Sequence, residues 1–145
     1  MNIKIKSILA GAVLGAVIYH VAAFFILGYT AAIVLPGSIA NWAAENSARF
    51  PVMFMWDLLV VQLLGIGILS ALATYLMSRT KSFDWLYLAI GFLSADIILS
   101  LASLLALPSL KYVSVADFIG WSPHFIVVFL CVFISARLGS KKPTV

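Results

Sequence analysis

The stretch Phe83–Leu107, FDWLYLAIGFLSADIILSLASLLAL, decides which solvent this chain folds in. A helix rises about 1.5 Å per residue and needs ~20 apolar residues to cross a hydrocarbon core of roughly 30 Å. This run is long enough, and Lys81 and Pro108 bound it. A single carboxylate, Asp96, interrupts its middle. An ionisable group at that depth is costly and calls for a partner or a function.

Three further runs have the same character, so the predicted spans are 7–35, 50–77, 83–107 and 121–139. Pro36-Gly37-Ser38 closes the first, Pro51 opens the second, Pro108 closes the third and Pro123 opens the fourth. Proline is tolerated in a first helical turn and disfavoured deeper in, so these positions mark ends. The basic start and the small residues Val21-Ala22-Ala23 resemble a signal peptide, but the apolar run is too long for one, and the first span is read as an uncleaved anchor.

Composition agrees. With 64% hydrophobic and only 10% charged residues, the chain lacks the polar surface of a soluble domain. A disordered chain and a conventional nucleic-acid binder are excluded on the same ground. The lone Cys131 cannot form an internal disulfide and reads as a small buried hydrophobe. The expected fold is therefore all-α: a polytopic membrane protein forming an up-down bundle of four transmembrane helices in one domain, residues 1–145, with the lipid bilayer as its first partner.

Charge gives an orientation. Lys4, Lys6, Arg79, Lys81, Arg137, Lys141 and Lys142 fall on one side of such a bundle, and only Arg49 and Lys111 fall on the other. The positive-inside rule then places both termini in the cytoplasm, and the short loops suit a bacterial inner membrane. Two outer loops remain. In the first, Ile39, Trp42 and Ala43 share a helical face, which predicts a short interfacial helix. In the second, Ser114 and Asp117 have capping-box spacing, with Phe118, Ile119 and Trp121 as interfacial anchors.

Lipid offers no hydrophobic drive between spans, so helices associate through close backbone approach and interhelical hydrogen bonds. Gly11 and Gly15 form a G-x-x-x-G, and Gly91 and Ala95 a small-x-x-x-small pair. Both are expected at contacts within the chain, a homo-oligomer seam being the alternative.

Four ionisable groups lie inside the spans: His20, Asp57, Asp96 and His124. His20 is 14 residues past Lys6 and Asp96 is 15 past Lys81, which sets both about 21–23 Å deep. That shared level predicts a His20–Asp96 pair between the first and third spans. Ser100 and Ser103 extend a polar stripe from Asp96 and complete a candidate proton or ion relay. Asp57 and His124 are expected to pair nearer the outer side. Gln62 follows Asp57 by five residues, off its α-helical face, and is assigned to a helix–helix hydrogen bond. If the fourth span sits deep, His20, Asp96 and His124 could converge as two histidines and a carboxylate. No H-x-x-x-H, H-E-x-x-H or cysteine cluster supports a metal, so neither metal nor cofactor is expected.

No nucleophile elbow or glycine-rich phosphate loop is present, and no soluble segment is large enough to host one, so the chain is not expected to be an enzyme. The base expectation is an accessory or assembly subunit that contacts other membrane proteins or a second copy through its helices. The alternative is a small proton- or ion-coupled transporter or channel subunit that uses Asp96 and His20.

Overall fold

The computed structural model describes residues 2–80, 82–105 and 115–140. They form five helices: α1 (Ile3–Ala31), α2 (Gly37–Glu45), α3 (Arg49–Arg79), α4 (Trp85–Leu105) and α5 (Val115–Ser140). All but α2 are long and apolar enough to cross a membrane. Helix α1 starts ahead of the predicted Ser7, capped by the Asn2 side chain, which accepts the Lys4 N–H at 3.0 Å. Asp84 does the same for α4, accepting the Leu86 N–H at 3.0 Å. Pro36 precedes α2, and Pro51 lies in the first turn of α3, as read from the sequence.

The start of the fourth helix needs correcting. Pro123 does not open it; α5 begins at Val115 and carries Pro123 inside. A proline there leaves the carbonyl four residues back without its donor. That carbonyl belongs to Ile119, and the Ser122 hydroxyl donates to it at 2.7 Å. Local repair by a serine lets the helix continue through the proline. Ser114, and with it the predicted Ser114–Asp117 cap, lies outside the described residues, as do Lys81, Lys111, Lys141 and Lys142. The short helix expected between the first two spans is α2, with Ala43 buried and Ile39 and Trp42 exposed.

Helices α1 and α4 run side by side in the same direction. The Ser7 hydroxyl accepts the Asp84 N–H at 2.8 Å, and Tyr19 shares a hydrogen bond with Ser103 at 2.9 Å. Between these ties the backbones touch. A Cβ on Gly11 would overlap the carbonyl of Leu88, one on Gly15 that of Phe92, and one on Gly91 that of Ile8. Three of the four predicted packing residues thus form one seam within the chain, and Ala95, a turn beyond Gly91, is half-buried.

Helices α3 and α5 form a second parallel pair. The hydroxyls of Thr74 and Ser135 meet at 2.5 Å, and Gly139 abuts Ser78. The two pairs join antiparallel to each other. Trp85 packs edge-on to Phe133, centroids 5.4 Å apart, between α4 and α5, and the Trp56 indole donates to the Ile33 carbonyl at 3.1 Å between α3 and the end of α1. The order around the bundle is therefore α1, α4, α5, α3, which sets the consecutive helices α3 and α4 across a diagonal. Ile18, Ala22, Ile66, Phe92, Val128 and Val132 fill the centre. Val13, Phe24, Ile98 and Leu130 face outward, as they should where the solvent is hydrocarbon.

Candidate functional site

The adjacency of α4 and α5 brings Asp96 to His124. Both are buried, Asp96 at 1% exposure, and His124 Nε2 lies 3.3 and 3.2 Å from the two carboxylate oxygens. On the other side of the ring, Nδ1 lies 3.2 Å from the Gln62 amide oxygen on α3. The Ser100 hydroxyl, one turn beyond Asp96, is 3.5 Å from Nε2. Three helices thus contribute one chain of polar groups: Gln62, His124, Asp96, with Ser100 at its side.

The bonding pattern restricts where protons can sit. With Gln62 presenting its oxygen, Nδ1 carries a hydrogen and donates it. On the opposite side of the ring Nε2 faces both oxygens of the Asp96 carboxylate. A buried charge without such a partner is strongly unfavourable, so each member of the pair supports the other.

His20 does not take part. It is exposed on the outer face of α1, with Nδ1 turned back to the Ala16 carbonyl at 2.8 Å and the ring stacked on Phe24. The predicted His20–Asp96 pair is overturned by rotation about the helix axis, since the two residues do lie at similar levels. Gly11, Gly15, Ile18 and Ala22 are the buried face of α1, and at ~100° per residue His20 points some 200° away from Ile18. Ser103 also leaves the predicted relay. It is exposed and bonds Tyr19 instead. Convergence of two histidines and a carboxylate is excluded by the same rotation, and among the described residues no group of three or more His, Cys, Asp or Glu side chains could hold a metal.

Gln62 makes a hydrogen bond between helices, as expected of it, but it does not lie off the face of Asp57, and the backbone explains why. Helix α3 unwinds to i→i+5 bonding over Asp57–Gly67, the Ile68 N–H donating to the Leu63 carbonyl. Helix α1 does so over Ala22–Ile26, with the Leu27 N–H donating to Ala22. In an α-helix, residues five apart diverge by ~140°. Each turn of the wider winding takes an extra residue, so i and i+5 fall on one face. Asp57 and Gln62 consequently line the same cavity.

That cavity measures about 290 Å3 and is walled by Tyr19, Ala23 and Leu27 of α1, Asp57 and Gln62 of α3, Ser100 of α4, and Gly120, Trp121 and His124 of α5. Asp57 and His124, expected as a pair, share this space, but the hydrogen bonds of His124 go to Gln62 and Asp96. Asp57 also lines a second cleft of about 480 Å3 beneath α2, together with Arg49 and Trp56. It therefore stands between the cavity and the α2 end of the bundle. In the opposite direction Ile66, Val127 and Val128 form a buried apolar layer, and beyond it lie the buried hydroxyls of Ser70, Thr74 and Ser135. The Ser70 hydroxyl has no hydrogen-bond partner among the described residues.

Comparison with known protein families, with curated proteins and with solved structures finds no match to this chain.

Proposed function

We propose that this is a small proton-coupled transport protein of the membrane, with the Asp96–His124 pair as the group that gains and loses the proton. One observation carries the reading: a buried acid–imidazole pair within a candidate membrane span has its imidazole on the wall of a cavity that a second carboxylate, Asp57, also lines. A pair serving only as a clamp between helices has no need of such a space. Ionisable groups at this depth that face a cavity are characteristic of ion and proton pathways. Asp57 exchanges protons with the cleft beneath α2, His124 with the cavity, and Asp96 holds the counter-charge. The apolar layer of Ile66, Val127 and Val128 closes the other half of the path and must part for a proton to reach the hydroxyls beyond it.

The orientation belongs to this proposal. Lys4 and Lys6 sit over the rings of Tyr87 and Phe83 at the start of α4, and Arg79 and Arg137 lie in the last turns of α3 and α5. All four mark one end of the bundle, which the positive-inside rule assigns to the cytoplasm, here of a bacterial inner membrane. The cavity then opens toward the outside.

The test is proton movement in sealed vesicles carrying the purified chain, read with an internal pH dye under an imposed potential. Asp96→Asn keeps the shape of the pair and should lose at least about 100-fold in flux, a loss typical of removing a required proton-transfer group, while His20→Phe should retain it. Equal flux through wild type and Asp96→Asn, both inserted and helical, would overturn the reading.

A second reading, an accessory or self-associating subunit, is favoured by His20 itself. An imidazole on the outside of a span meets hydrocarbon at a cost unless a partner helix covers it. Cross-linking through a cysteine placed at Val17 or Phe24 tests for that neighbour.

A further inference from the structure

The cavity also has a composition that selects a ligand. Its polar wall comprises one carboxylate (Asp57), one amide (Gln62), one hydroxyl (Ser100) and the imidazole of His124, which Asp96 contacts from behind. Its aromatic wall comprises Trp121 and Tyr19. Among the described residues no Lys or Arg lines it. The nearest basic wall residue, Arg49, belongs to the cleft on the far side of Asp57, and no Arg49–Asp57 ion pair forms. Among the described residues the acidic side chain facing the space, Asp57, is not matched there by a Lys or Arg, and indole and phenol rings are of the kind that attract cations. At about 290 Å3 the cavity lies at the small end of ligand sites, which run ~300–1,000 Å3. It has room for a compact molecule and not for a drug-sized one.

We propose that this cavity binds a small organic cation, an ammonium or methylated ammonium group, seated between the Asp57 carboxylate and the Trp121 and Tyr19 rings. The ligand class follows from three features together. A neutral solute would leave the Asp57 carboxyl without a cationic partner, and an anion would meet that carboxyl. A bare metal ion would gain nothing from the indole wall and would find too few oxygen ligands. The proposal rests on the transport reading and supplies its cargo. Cation and proton would compete at Asp57, with the Asp96–His124 pair behind it, so occupation by one disfavours the other.

The experiment is equilibrium binding of radiolabelled tetramethylammonium to the full chain in lipid nanodiscs. Neopentanol, of similar shape but uncharged, serves as competitor. Saturable binding displaced by unlabelled tetramethylammonium and not by neopentanol is expected. Asp57→Asn should weaken it at least about tenfold and Trp121→Leu several-fold, while Trp42→Leu, remote from the cavity, should leave it unchanged. Each variant is checked for wild-type helicity, and Asp57→Glu, which restores the charge, should recover binding if Asp57→Asn loses it. Absence of saturable binding in the folded protein would overturn the proposal, as would equal binding by Asp57→Asn. The vesicle measurement is made without tetramethylammonium. Proton flux without cation binding therefore removes this inference alone, and cation binding with flux unaffected by Asp96→Asn removes the transport reading alone.

Discussion

The two histidines invite comparison, because both lie within candidate membrane spans and the fold gives them opposite surroundings. His124 is held on both ring nitrogens, by Gln62 and Asp96, inside the bundle. His20 turns one nitrogen to its own helix and lays its ring on Phe24 at the surface. Depth alone does not determine what a side chain meets here. Rotation about the helix axis does, and it is fixed by residues with no chemistry of their own, the glycines of the α1–α4 seam.

The sharpest way to break this comparison is to remove the partner of Asp96. His124→Ala leaves a buried carboxylate unpaired, and losing one member of such a pair costs about 3–5 kcal/mol. Asp96→Leu combined with His124→Leu removes both charges and should recover most of that loss, since apolar replacements of buried pairs are often nearly neutral. Equilibrium unfolding in mixed micelles, followed by far-ultraviolet circular dichroism, measures both. A double variant less stable than His124→Ala would mean that the pair contributes more than mutual neutralisation.

The seam comes next. Gly11→Val would drive a side chain into the Leu88 backbone, where only backbone movement can relieve it, and overpacking of that kind costs about 1–3 kcal/mol. Gly28→Ala, on the same helix with no neighbouring atom near its Cβ, should be neutral or slightly stabilising. If the two substitutions cost the same in micelles, the close approach of α1 and α4 does not set the rotation of α1.

Much of this was readable in the chain. Four long apolar helices and the glycines at their contacts follow from run length and residue size. The pairing of Asp96 was not readable from depth. Helical rise places residues along the bilayer normal and leaves rotation and neighbour order open, and the order here sets consecutive helices α3 and α4 on a diagonal. One signal was present: the face defined by Gly11 and Gly15 already excludes His20. The alignment of Asp57 with Gln62 had no such signal, because it depends on a π winding that no short-range pattern announces. Two glycines, Gly65 and Gly67, and the β-branched Val60 and Val61 weaken the α preference of that segment, without specifying what replaces it.

Gln62→Leu probes that winding at smaller amplitude. It removes the acceptor of the His124 Nδ1 hydrogen and should cost about 1 kcal/mol, the usual scale of a single interhelical hydrogen bond in a membrane protein. Its stronger signature is spectroscopic: with nothing to hold the hydrogen on Nδ1, the nitrogen shifts of His124 should show a changed tautomer population. Unchanged shifts would mean that Asp96 alone orients the ring.

The smallest expected effect belongs to His20, and it bears directly on whether the two histidines differ. His20→Phe exchanges an imidazole for an apolar ring on a face already occupied by Val13, Val17 and Phe24. The hydrogen bond it gives up is to a helix carbonyl already within the backbone ladder, so the isolated chain should change by no more than about 0.5 kcal/mol. Association responds differently. If a partner helix or a second copy covers this face, the same substitution leaves unfolding unchanged and weakens the complex, seen as a shift in mass by sedimentation in density-matched micelles. A loss of several kcal/mol in the isolated chain would show instead that His20 works inside the bundle, and would erase the distinction between the two rings.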